Sequence, residues 1–167
     1  AVVDGKIVLK SGMSYHVLVL PELQEMTPAV LNKLKELVAQ GATIVGPKPV
    51  KSPSLAGYPN VDAQIANTAN ELWGDTDGQL VYHHAYGKGH VYWGVPLSSI
   101  LAEHKVIKDV DYTKPHTNTY LSWIHRKTND TDIYFISNLR NQKEEVKMEF
   151  RMTGKVPELW HADNGTV

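Results

Sequence analysis

The stretch from residue 15 to residue 46 constrains the fold more than any other part of the chain, because it reads as strand, helix and strand within about 30 residues. "YHVLVLP" at 15–21 is a compact valine- and leucine-rich run closed by a proline. It lacks the polar alternation of a half-exposed strand, so it predicts a central strand buried on both faces. "TPAVLNKLKELVAQG" follows, with Thr27 as N-cap, Pro28 at the first helical position and Gly41 just past the end. Val30, Leu31, Leu34, Leu37 and Val38 fall on one helical face, with Lys33, Lys35 and Glu36 largely off it. "ATIVG" then supplies a second β-branched run, which makes the segment a βαβ unit with a parallel pair and a right-handed crossover.

Further along, Val61, Ile65, Ala69, Leu72 and Trp73 recur at helical spacing between Asn60 and Gly74. "QLVYHHAYGKGHVYWG" predicts a hairpin turning at Gly87, Lys88 and Gly89. With Tyr86 opposite His90, one surface carries Val81, His83, Ala85, Val91 and Trp93; the other carries Tyr82, His84, Tyr86, His90 and Tyr92. "PLSSILAEH" is a short helix candidate. Beyond about residue 105 the pattern changes to "KVIKDVDYT", "TYLSWIHRKT", "TDIYFISN", "EEVKMEFRM" and "VPELWHADN", all strand-like. In the fourth, Val146, Met148, Phe150 and Met152 alternate with Lys147, Glu149 and Arg151. "ADNGTV" carries a hairpin-turn dipeptide, Asn164 and Gly165, with two residues after it, and reads as the cut edge of a longer antiparallel structure. The expectation is an α/β domain over 1–105 and an antiparallel β segment over 106–167 that begins an incomplete sandwich.

A chain of 167 residues has room for one cored domain or a small domain plus part of another. Seventeen basic against eighteen acidic side chains give no bulk field to hold nucleic acid or an anionic membrane. The absence of cysteine removes disulfides, thiolate metal sites and cysteine nucleophiles. No apolar run reaches the roughly 20 residues of a membrane helix, and "AVVDGKIVLKSG" lacks the features of a signal peptide.

The loop after "ATIVG" holds prolines 47, 49, 53 and 59, which fix φ and reduce the entropy lost on ordering. Such a stiff loop suits docking against a neighbouring domain or subunit; ligand contact through Lys48 or Lys51 and a plain connection are the alternatives. Glu22 and Glu25 follow the first strand, at the carboxyl edge where open α/β sheets bind ligands. Paired carboxylates can divide acid and base duties in glycoside hydrolysis, but three residues apart before a helix they more simply favour its positive end. Neighbours on a strand face opposite ways, so His83 and His84 cannot share a metal, whereas His84 and His90 can share a face. Two imidazoles without a third ligand make a weak zinc site, and His83, His84, His90 and His125 read as structural or surface residues. Neither a metal nor a cofactor is expected. Tyr82, Tyr86 and Tyr92 form a stripe suited to contact with another domain, or to stacking on sugar rings. "NDT" at 129–131 and "NGT" at 164–166 match the N-glycosylation triplet, a weak signal in turns.

"YHVLVLPELQEMTPAVLNKLKELVAQGATIVGPKPVKSPSLAGYPNVDAQI", with "ELWG", "GKGHVYWG", "WIHRKTNDTDIYFISN" and "GKVPELWHADNG", resembles the region after the catalytic barrel in large bacterial glycoside hydrolases of the α-L-rhamnosidase type. The strand–helix–strand portion is also similar to flavodoxin-like and class I glutamine amidotransferase-like domains, in which a strained turn after such a strand bears a cysteine. Here that turn is Gly46, Pro47, Lys48 and Pro49, with no thiol, and "SPSLAG" lacks the first glycine of a serine elbow. The resemblance implies a noncatalytic accessory region of a secreted or periplasmic parent that cleaves α-L-rhamnosides of plant polysaccharides. Its partners would be a barrel upstream, a β-sandwich downstream and, in a homo-oligomer, a sister subunit. It assigns no catalytic residue to this sequence. Glu22, Lys48, Lys51, Tyr82, His84, Tyr86, His90 and Tyr92 stand as ligand or interface candidates. The rival functions are a carbohydrate-binding module using Tyr82, His84, Tyr86 and Tyr92, and a hydrolase using Glu22 and Glu25.

Overall fold

The computed structural model describes all 167 residues, and they form two compact units, Ala1–Val106 and Ile107–Val167. The first contains strands β1 (Val2–Val3), β2 (Lys6–Val8), β3 (Ser14–Tyr15) and β4 (Val17–Val19), then helix α1 (Pro28–Gln40) and β5 (Thr43–Val45). Helix α2 (Val61–Trp73), the hairpin β6 (His83–Tyr86) and β7 (Gly89–Tyr92), and helix α3 (Leu97–Glu103) complete it. The second unit holds β8 (Val110–Tyr112), β9 (Leu121–Lys127), β10 (Asp132–Asn138) and β11 (Met148–Phe150). The fold is mixed α/β, built from small sheets and three helices.

The main sheet of the first unit has the order β4-β5-β7-β6, with β4, β5 and β7 parallel and β6 antiparallel to β7. The helices form because their apolar stripes have somewhere to go. Leu31, Leu34 and Val38 of α1 and Ile65, Ala69, Leu72 and Trp73 of α2 meet Ile44 and Val91 in one buried cluster. Val45, Tyr92 and Ile100 make a smaller cluster, joined by Val17 and Val95. Since Ile44 and Val45 alternate along β5, the two clusters lie on opposite faces of the sheet. Thr27 caps α1 in an extended conformation, but its side chain makes no capping hydrogen bond; the Leu31 amide instead donates to the Thr27 carbonyl at 3.0 Å.

Several expectations need correction. "YHVLVLP" supplies not a central strand but β4, at the edge of the main sheet, where Val19 is 52 % exposed. The strand buried along its length is β5, hydrogen-bonded on both sides. Val30 is 49 % exposed, because the buried stripe of α1 is Leu31, Leu34, Leu37 and Val38. In the second unit "VPELWHADN" forms no strand, and only 148–150 of the alternating run pairs, with β8.

The second unit contains two antiparallel pairs, β8 with β11 and β9 with β10, the latter a seven-pair ladder. Only Val110 and Leu121 among its apolar side chains are buried, and neither hydrophobic cluster draws on it. Ile124 stands opposite Phe135 and Arg126 opposite Ile133, so alternation puts Ile124, Ile133 and Phe135 on one face; each is more than half exposed.

Candidate functional site

The proline-rich segment after β5 is the loop expected to dock against a neighbour or to grip a ligand. Gly46 has φ +152°, and a Cβ there would lie 2.6 Å from the Leu20 Cβ, so the end of β4 and this turn approach too closely for a side chain. Its amide donates to the Tyr92 carbonyl at 2.9 Å and its carbonyl accepts from Trp73 Nε1 at 3.0 Å. Pro47 and Pro49 are buried. Between them Lys48 Nζ donates to the Gly74 carbonyl at 2.7 Å, placing a cation at the negative end of α2. The Val50 amide donates to the Gln24 carbonyl at 2.8 Å and the Met26 amide to the Lys51 carbonyl at 3.0 Å, while Lys51 Nζ pairs with Glu25 at 3.1 Å. Both lysines are therefore used within the fold. The remaining stretch to Asn60 lies at the surface, with Leu55 and Tyr58 exposed. Of the two carboxylates before α1, Glu25 is the one held by Lys51, and Glu22 is exposed.

The hairpin differs from its expected register by one residue. Two residues, Gly87 and Lys88, make the turn, so Tyr86 pairs with Gly89, Ala85 with His90 and His83 with Tyr92. A one-residue slip moves every side chain of a strand to the other face. His90 and Tyr92 consequently lie with His83, while His84 and Tyr86 lie with Val91, and the shared surface of Tyr82, His84, Tyr86, His90 and Tyr92 does not form. Tyr86 packs against the main core, with Lys35 Nζ 5.8 Å from its ring centroid. His84 is half-buried, its ring so close to Gly74 that a Cβ there would sit 2.3 Å from Nδ1. Tyr82 is exposed and its hydroxyl donates to the Gln79 carbonyl.

On the other face, His83 Nε2 and His90 Nδ1 are 2.9 Å apart, and the His83 ring lies 4.7 Å from that of Tyr92. Tyr92 donates its hydroxyl to Glu103 Oε1 at 3.1 Å. Burial, reinforced by Glu103, pushes the Tyr92 phenol up to about 12. A raised value means that the stabilisation from the neutral phenol is complete below pH 10 and lost as pH rises through about 12. In a spectrophotometric titration Tyr92→Phe is expected to remove amplitude from the late-ionising phenols; loss of amplitude near pH 10 instead would contradict the assignment. The sequence places His83 on the face away from His90 and Tyr92 and does not point to Glu103; the two-residue turn is what brings His83 beside His90 and Tyr92.

In the second unit, His125 bridges two carboxylates, with Nδ1 3.0 Å from Asp109 and Nε2 2.8 Å from Asp132. Tyr134 stacks on the imidazole at 4.1 Å, Arg151 pairs with Asp109 at 3.2 Å, and Lys155 with Asp132. Lys155, then His125, holds the Asp132 carboxyl below the usual range. Two carboxylates flank one point, as glycoside hydrolysis requires, but an imidazole fills the space a sugar would need. The arrangement is a clamp in which His125 of β9 and Asp132 of β10 meet Asp109, the residue before β8. Open depressions run along β8 and β11, lined in part by Asp111 and Glu149. These two stand directly opposite each other, offset by Lys108 at 3.0 Å and Lys147 at 3.8 Å respectively. No group of three or more His, Asp and Glu side chains is arranged to hold a metal ion.

The family model described as alpha-L-rhamnosidase matches residues 1–167. A protein of Formosa agariphila named "Putative beta-glucuronidase" is 38 % identical over 164 residues, covering 98 % of this chain and 13 % of that protein. The solved rhamnosidase of Novosphingobium sp. PP1Y superposes with a TM-score of 0.83 at 30 % identity, covering 99 % of this chain and 16 % of that one. The chain thus spans about a sixth or less of the length of these relatives.

Proposed function

We propose, from the premise that this chain belongs to the α-L-rhamnosidase family of glycoside hydrolases, that it serves as a noncatalytic accessory region of a much longer hydrolase. The observation that carries this reading is the state of its carboxylates. Glu25 is held by Lys51, Asp109 and Asp132 by His125 and their cations, and Glu103 accepts from Tyr92. A glycosidase needs two carboxyl groups facing open space roughly 5–9.5 Å apart, with a sugar between them. The acid and base belong, on this reading, to a barrel elsewhere in the parent chain, whose substrate is a plant-polysaccharide α-L-rhamnoside or a related glycoside. Export of the parent to the periplasm or the medium is part of the same proposal.

Two features support a packing role. The parallel strands β4, β5 and β7 with the α1 crossover are compatible with an amidotransferase-like ancestry, and Gly46, Pro47 and Lys48 replace the nucleophile turn with a braced one. The second unit has almost no buried apolar side chains and leaves Ile124, Ile133 and Phe135 exposed on one face of a two-stranded ladder, a structure marginal in water by itself. That face suits a second β layer of the parent, with the barrel or a sister subunit as further contacts. The split of Tyr82, His84, Tyr86 and Tyr92 between faces removes the aromatic platform that a carbohydrate-binding module would use.

The test is hydrolysis of an aryl α-L-rhamnoside and an aryl β-glucuronide by the 167-residue chain, beside a full-length family member as positive control. Turnover at the level of the blank is expected for the chain. Turnover above blank that Glu22→Gln abolishes would overturn the accessory role and restore the hydrolase reading.

A further inference from the structure

The contact between His83 and His90 is unused by the accessory role and is built with some care. His90 belongs to a strand fixed from below: its amide donates to the Ala42 carbonyl at 3.1 Å, and the Lys88 amide donates to the Ala39 carbonyl at 3.2 Å. His83 is the first residue of β6, in the last pair of the β6–β7 ladder, largely exposed but with its ring against those of His90 and Tyr92. A ring-to-ring hydrogen bond needs one nitrogen as donor and the other as acceptor. One added proton preserves that complement, because an imidazolium still donates to a neutral partner. A second proton leaves two N–H groups facing each other 2.9 Å apart with no acceptor between them.

We propose that His83 and His90 form an acid-released latch across the β6–β7 hairpin, beside the backbone bond from the Trp93 amide to the Tyr82 carbonyl at 2.9 Å, that holds at neutral pH and lets go when both rings are protonated. The surroundings favour release. Tyr92 lies beside both rings on β7, Thr43 pairs with His90 from β5, and His84 follows His83 on β6. From α3 come Glu103, which favours protonated His83, and His104, whose Nε2 is 3.4 Å from the Thr43 hydroxyl. Nearby, burial, then Lys6 and His104, lowers the His16 value. Burial, then the neighbouring His90, lowers the His83 value below its ordinary 6.5. A lowered value places the stabilisation above pH 6.5 and removes it as pH falls through the depressed midpoint.

The experiment is an NMR titration of the whole chain from pH 8 to 4.5, following the His83 ring and the protection of the His84 and Tyr86 amides, which face β7. The His83 midpoint is expected below 6.5 and to rise in His90→Gln. Amide protection should fall by about tenfold as the bond is lost. An unchanged His83 midpoint in His90→Gln, or protection constant through the titration, overturns the latch. Should His90→Gln fail to fold, His83→Gln at the exposed position carries the same test: its protection at the His84 and Tyr86 amides should no longer change in this pH window, and a wild-type response there overturns the proposal.

Discussion

Trp73→Ala is expected to cost the first unit about 3–5 kcal/mol, read as a lowered urea midpoint by circular dichroism. Trp73 is fully buried at the end of α2, among Leu31, Ile44, Leu72 and Val91. Its loss removes the largest apolar surface in the core and leaves a cavity lined by two helices and the sheet. It also strands the Gly46 carbonyl, which accepts from Trp73 Nε1. The comparison with Trp73→Phe separates these effects. Phenylalanine keeps most of the volume and loses the donor, so about 1–3 kcal/mol is expected for that variant. Against a total stability of roughly 5–15 kcal/mol for a domain, the alanine variant should be largely unfolded at modest urea. A Trp73→Ala midpoint equal to the wild type, or a phenylalanine variant as stable as the wild type, would show that the indole does not anchor the turn after β5.

That turn illustrates what a sequence can and cannot disclose. Both long helices were legible because their stripes, Leu31, Leu34, Leu37 and Val38 in one and Val61, Ile65, Ala69, Leu72 and Trp73 in the other, repeat at the helical period. The parallel β4–β5 pairing followed from their spacing around α1. The rank of β4 in the sheet was not legible, since a run of valine and leucine does not state how many neighbours it has. "YGKGH" admits a two- or a three-residue turn; that single residue moved His90 and Tyr92 to the face of His83 and dissolved the supposed tyrosine stripe. The clamp on His125 escaped notice for a different reason. Asp109 lies 16 residues before it and Asp132 seven after, and only the pairing of β9 with β10 and the course of the chain into β8 bring them together. Lys48 is a ligand or interface candidate by sequence, yet its partner within the fold is the carbonyl of Gly74, a backbone atom that no side-chain pattern announces.

Gly89→Ala should destabilise the chain by about 3 kcal/mol, toward the upper end of the range for overpacking. The reason is space rather than backbone conformation. Gly89 does not have a positive φ, yet a Cβ built on it would lie 2.3 Å from the Ala42 carbonyl oxygen and 2.4 Å from that of Val38. Both are backbone atoms at the C-terminal end of α1, so no side chain can swing aside to relieve the contact. β7 must retreat from the helix, which loosens the donation of His90 to Ala42 and of Lys88 to Ala39. Gly12→Ala is the control, because φ there is +86° and nothing lies within 4 Å of the added carbon. Its cost is conformational, about 1 kcal/mol. Urea denaturation of the two variants should therefore rank Gly89→Ala as the more damaging, the reverse of the order that positive φ alone would give. A Gly89→Ala chain as stable as Gly12→Ala would mean that the hairpin is not seated on α1, and that His90 lacks the fixed position on which its contact with His83 depends.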